Sequence, residues 1–467
     1  MVPAARPTPG RVVRAGRVGL AVPLLATLLA GTVSAPASAE IVLPRERPVG
    51  EGISGPSTSA PRPATNPGLV TIAGSGYGHG VGLSQYGALG MARAGTGAEQ
   101  IVQHYYTSVA VTGVRDAVDI RVNVVHRGRS VVLRPIGINA GTVPQARLVP
   151  STGTPILLGP GDVATATPSG TAISIVVVRG SGARVQRTVS GWSVEWTGTA
   201  AWSGPATRLA VGSRAVGSSA VKERSYRWGR LALTNVSKAI EAVTTVDLHS
   251  GYLRGLAEMP SSWPTEALRA QAIIARSYAL VAAGKAPRAD CGGCQVWDDQ
   301  RSQMYVGWAK EGERVGSTDY GARWIAAVTS TSPTSTTGIA VLYQGKPVQT
   351  FYASSTGGRT RDPKLVWGGS VPYLRPVADP WSLDSTLNPR YAAWTRTFSP
   401  ATLARTMGIS DGSPLASVTV TARDAAGAIT QVRATSRSGQ VRTLAGESFR
   451  SRLGLPSSWV TSVRLPT

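Results

Sequence analysis

Glu258 lies in the run Leu256-Ala257-Glu258-Met259-Pro260, with Trp263 close behind it. A carboxyl in partly apolar surroundings loses solvation of its charged form, so its pKa rises and a proton stays available near neutral pH. That is what a general acid requires. Arg269 and Arg276 follow seven residues apart, and on a helix they project from nearly the same face. Two cations on an otherwise apolar helix need an anionic or hydroxyl-rich partner. For Arg276 an internal salt bridge to Asp247 or Glu266 is the competing reading. Ser354, Ser355, Thr356, Gly357 and Gly358 offer small hydroxyls and a backbone open to close approach, or no more than a tight turn. His79 stands among Gly76, Gly78, Gly80 and Gly82, where a ligand can approach the backbone or a hydrogen-bonded His can fill a corner. Gln85 and Tyr86, just beyond, add amide and phenol groups suited to sugars, whereas His104 before Tyr105-Tyr106 reads as structural.

The elements that must position these residues follow from local pattern. A helix is expected over about 263–284. Ser261 or Ser262 can cap it, Pro264 suits its first turn, Glu266 complements its dipole and Gly284 ends it. Ala267, Leu268, Ala270, Ala272, Ile273, Ile274, Ala275 and Ala279 make it apolar nearly all round and central to its domain. Residues 113–225 alternate in short apolar runs (IRVNVV, SVVLRP, AISIVVV, WSVEWTG) broken by Gly, Pro and Ser, the signature of antiparallel β. Residues 40–68 are rich in Pro, Ser and Gly with no apolar period and read as a linker. Among 467 residues, 54 Gly and 32 Pro exceed their combined usual share of about 12%, which argues against a mostly helical chain or a coiled coil.

Residues 1–39 read as a secretory signal peptide. Arg6, Arg11, Arg14 and Arg17 precede an apolar run from Val18 to about Val33, then Ala37-Ser38-Ala39 offers a cleavage site before Glu40. No later stretch reaches the ~18 apolar residues of a membrane helix. Without residues 1–39, which hold four Arg and no acid, the formal charge falls from +23 to +19, and it speaks to association with anionic polymers outside the cytoplasm. No helix-turn-helix, zinc-finger or RNA-recognition pattern points to nucleic acid. In an oxidising compartment Cys291 and Cys294 are expected to close a small disulfide, ahead of a zinc site or a redox-active pair.

Four segments together resemble the SpoIID/LytB family of bacterial cell-wall proteins. They are GYLRGLAEMPSSWPTEALRAQAIIARSYAL (251–280), YQGKPVQTFYASSTGGRTRDPKLVWGGSVPYLRPVADP (343–380), GESFRSRLGLPSSWV (446–460) and SGYGHGVGLSQYGALGMARAGTGAEQIVQHYYTSV (75–109). In the usual arrangement the last of these follows the LGL-S segment near the C-terminus. Its place here suggests a circular permutation, with residues 75–109 folding back against the C-terminal end. Some members carry a Cys…His-Cys-Gln-x-Tyr zinc site, but Cys291-Gly-Gly-Cys294-Gln-Val-Trp297 lacks its His, so no metal is expected. The expected organisation is α+β and β-rich around the 263–284 helix. It comprises the 69–112 motif segment, a 113–225 β-rich insert and the main domain at 226–467.

The resemblance implies a lytic transglycosylase of peptidoglycan, acting on glycan strands stripped of stem peptides, with Glu258 as acid/base and no cofactor. Its nucleophile is the substrate's own C6 hydroxyl, so no second catalytic carboxylate is needed. Arg269 and Arg276 match positions linked to activity, with Ser354, Ser355, Thr356, His79, Gln85 and Tyr86 as glycan contacts. Two alternatives stand beside it. One is a non-catalytic wall-binding module or enhancer of a wall amidase; the other is a hydrolytic muramidase using a base such as Asp362 or Asp379.

Overall fold

The computed structural model describes residues 68–466; the expected signal peptide and all of the expected linker but Gly68 lie outside them. The alternating runs do form an antiparallel sheet. Its spine is the strand Asp119–Gly137, which pairs with Ala239–Asp247 along its first half and with Thr207–Ala215 along its second. Both pairings shift register near Gly128, and such bulges bend a strand and increase its twist. Trp192, Val194 and Trp196 are buried while Ser193 and Glu195 between them are partly exposed, the period of 2 that the sequence announces. The edge strand Arg184–Val189 is polar and largely exposed, which discourages pairing with another chain. The sheet also takes in Val221–Tyr226, Arg230–Val236 and Ala239–Asp247, so strands on both sides of residue 225 share it.

The expected helix spans Thr265–Ala283 (α3), with Glu266 in its first turn and Gly284 as C-cap. Its start differs from expectation. Pro264 is the N-cap, without a side-chain cap bond, and Ser261 instead donates its hydroxyl to Glu313 at 2.6 Å. Twelve of its residues are buried, Arg276 among them. It does not stand alone: two helices introduced below, the Tyr320–Ser330 helix and the strand Thr337–Tyr343 all pack against it.

Residues 70–105 tie two hydrophobic cores together. Val70–Ser75 (β1) lies antiparallel between Trp394–Phe398 and Trp459–Arg464, and Val70 and Ile72 share a core with Trp394, Phe449 and Val460. Gln85–Arg93 (α1) and Ala98–Tyr105 (α2) rest against α3, placing Ala88, Ile101 and Tyr105 in the larger core. Glu266 accepts the Ala98 N–H at 2.8 Å, so α3 caps α2. Leu83–Ser84 runs parallel to Tyr352–Ala353, and Tyr77 bridges Ser355. The motif segment is thus built into the region holding Glu258 and the C-terminal strand.

The glycines around His79 are required by this packing. A Cβ at Gly80 (φ +71°) would collide with the Trp459 ring, and one at Gly82 (φ +73°) with the Phe351 carbonyl. Cys291 and Cys294 are joined as a disulfide, buried beside Val243 and Trp297. Protein unfolded without reductant should therefore show no free thiol by thiol titration, and two after reduction; two before reduction would mean that the bond does not form. Among the described residues no helix is long and apolar enough to cross a membrane.

Candidate active site

Two short contacts fix Glu258. Leu256 bridges Tyr305, and the Ala257 N–H donates to the Met304 carbonyl at 2.8 Å, so Glu258 emerges opposite Met304. Its Oε1 then accepts two bonds, from the Met304 N–H at 2.7 Å and the Tyr352 hydroxyl at 2.8 Å. Tyr352 is held in turn by the Gln303 amide at 3.3 Å, whose oxygen accepts from Tyr252 at 3.1 Å. Burial raises the Glu258 pKa above the usual carboxylate value; the two donors and the nearby Lys310 charge oppose this without cancelling it. Lys310 is itself buried and donates to the Met259 carbonyl at 2.7 Å. With both donors on Oε1, the proton of the acid form belongs on Oε2. The result is an oriented, partly exposed carboxyl whose burial favours the protonated form.

Gln85 and Tyr86, at the start of α1, meet the Glu258–Trp263 segment through its main chain and the Trp263 ring. Gln85 donates to the Glu258 carbonyl at 2.9 Å and to Gln271 at 3.2 Å. Tyr86 packs against Trp263 with ring centroids 5.2 Å apart. Arg269 is partly exposed and paired with Glu266 of its own helix, with contacts of 3.0 Å to both carboxylate oxygens.

Other expected contacts are corrected by burial. Arg276 is fully buried and its guanidinium is spent on Asp116, Thr331, Ser332 and the Ile339 carbonyl, so it cannot meet a substrate. Its internal salt bridge is real, but the partner is Asp116 rather than Asp247 or Glu266. Ser355 and Thr356 are buried as well, and Thr356 donates to Asp379 at 2.6 Å; only Ser354 of the three retains exposure. His79 accepts the Val81 N–H on Nδ1 at 3.0 Å and packs edge-on to Trp367. Burial first, then the Arg450 and Arg361 charges, bring its pKa down to about 3, so it is neutral. His104 bonds the Ala378 carbonyl at 2.8 Å, a structural role.

The two carboxylates considered for a hydrolytic base differ in setting. Asp379 is fully buried among the hydroxyls of Tyr105, Thr356 and Ser382. Asp362 caps the short helix Pro363–Trp367 by accepting the Lys364 N–H at 2.8 Å. Among the described residues no group of three or more His, Cys, Asp or Glu is placed to hold a metal ion. Sequence reading missed Tyr352, Gln303, Met304 and Lys310. The one available signal was that Tyr352 lies two residues before the small-hydroxyl turn.

An α+β frame presenting one oriented carboxylic acid beside an amide and aromatic rings defines a candidate acid/base site. The family model described as stage II sporulation protein matches residues 236–337, which include Glu258, Met304 and Lys310 but neither Tyr352 nor Gln85. The stage II sporulation protein D of Bacillus subtilis (strain 168) is 30% identical over 278 residues, covering 58% of this chain and 72% of that protein. Its counterpart in Bacillus amyloliquefaciens is 32% identical over 210 residues, 43% of this chain and 55% of that one. The amidase enhancer of B. subtilis is 32% identical over 142 residues, 30% of this chain but 16% of its own length. The chain belongs to the SpoIID/LytB family.

Proposed function

We propose that the protein is an exported lytic transglycosylase that cleaves the MurNAc–GlcNAc bond of denuded peptidoglycan strands. The observation that supports this best is the Glu258 carboxyl, raised in pKa and oriented through Oε1 by Met304 and Tyr352. Glu258 donates its proton to the glycosidic oxygen, and the C1–O bond breaks with that electron pair leaving on the glucosamine hydroxyl. The resulting carboxylate takes the proton from the muramic C6 hydroxyl as O6 bonds to C1. The acid is regenerated, and no water or second carboxylate enters.

Product analysis tests this. Anhydro-muramic ends are expected; reducing muramic ends would mean hydrolysis. Because the acid form is the active one, kcat/KM should fall as pH rises through the raised Glu258 pKa, with its midpoint above the ordinary carboxyl value. A pH profile flat across that range would oppose the role. The similarity to an amidase enhancer supports a second reading, in which the same fold binds glycan and assists a wall amidase without cleaving. Binding without any cleavage product would favour it.

A further inference from the structure

Four aromatic side chains from three distant parts of the chain form two ring pairs in the region that holds Glu258. Trp263 follows it by five residues, Tyr77 and Tyr86 come from the N-terminal motif segment, and Tyr391 from the loop before Trp394–Phe398. Trp263 and Tyr86 lie 5.2 Å apart between centroids, and Tyr77 and Tyr391 lie 4.3 Å apart. Tyr77 bridges Ser355 and the Tyr86 N–H donates to the Ser354 carbonyl at 3.0 Å, so both pairs adjoin the same stretch of chain, and the exposed Arg390 directly precedes Tyr391. All four rings are partly exposed, and Gln85, adjacent to Tyr86, is bonded to the Glu258 main chain.

Aromatic rings with one wet edge combine an apolar face with a polar tip, and such surfaces suit the flat faces and hydroxyl rims of sugars. Resting on the function proposed above, we propose that Trp263, Tyr86, Tyr391 and Tyr77 form a glycan subsite next to the scissile bond. Arg390 at its end pairs with the free lactyl carboxylate of a denuded muramic residue. The occupant follows from continuity with the acid and from charge: a planar cation favours a carboxylate acceptor. In a strand still carrying stem peptides that carboxylate is consumed in an amide, so the subsite would also select against such strands.

The test uses the full secreted chain in a Glu258→Gln background, so that bound glycan is not consumed. Affinity is measured by calorimetry for two probes, denuded glycan strands and neutral chitotetraose. Trp263→Ala and Tyr391→Ala should weaken both probes about three- to tenfold, the size of one lost aromatic contact. Trp263→Phe and Tyr391→Phe should restore most of the loss, which separates stacking from misfolding. Arg390→Gln should weaken denuded glycan alone, and added salt should shrink the difference. Unchanged affinities in the aromatic variants would overturn the subsite, and equal loss of both probes in Arg390→Gln would overturn the carboxylate contact. Both readouts are binding, so they stand whether or not the wild type proves to be a lyase.

Discussion

Glu258→Gln should lower cleavage of denuded glycan by ~10²–10⁴-fold, the range typical of losing a general acid–base. The amide keeps the shape of the side chain, and its oxygen can still accept from Met304 and Tyr352. What it lacks is a transferable proton. Binding of denuded glycan should survive, because the aromatic rings and Arg269 are untouched. Turnover measured by release of anhydro-muramic ends, alongside affinity for the same strands, checks both halves. Full activity in Glu258→Gln would remove the mechanism. If wild type and variant bind alike and neither cleaves, the amidase-enhancing reading takes its place.

Arg276→Ala should destabilise the fold by ~3–5 kcal/mol, because removing one member of a buried ion pair leaves the other charge uncompensated. Arg276 donates from Nε to Asp116 at 2.7 Å, from Nη1 to Thr331 and the Ile339 carbonyl, and from Nη2 to Ser332. Both members of the pair are fully buried, and the second oxygen of Asp116 contacts His249 at 2.6 Å. Burial pushes the Arg276 pKa down and Asp116 pushes it back, yet a guanidinium stays charged at any ordinary pH. The pair sits so close to Gly338 that a Cβ there would collide with it. Urea unfolding should show the loss in the midpoint. Arg276→Ala combined with Asp116→Ala should cost less than the sum of the two, since both charges then leave together. A loss below ~1 kcal/mol with sharply weaker glycan binding would return Arg276 to the substrate.

What the sequence determined by itself was local. The α3 helix follows from its run of helix formers between a proline and a glycine, and the strands of the β-rich region follow from apolar alternation. Glu258 stood out through the resemblance of its Glu-Met-Pro motif to the family, with an apolar local setting beside it. The disulfide joins cysteines only three positions apart. The tertiary structure decided everything that depends on partners far along the chain. Asp116 lies 160 residues from Arg276, and Tyr352 lies 94 residues from Glu258; periodicity carries no information about such pairs. It also decided exposure. Arg269 and Arg276 are alike on a helical wheel, but α3 leaves one partly open and closes the strand Thr337–Tyr343 over the other. Ser355 and Thr356 look like a surface turn until Gly76-Tyr77 and Trp459 pack against that stretch. Hydrophobic pattern says which residues prefer burial, whereas the arrangement of packed elements says which polar groups are buried with them and must therefore bind each other instead of a substrate.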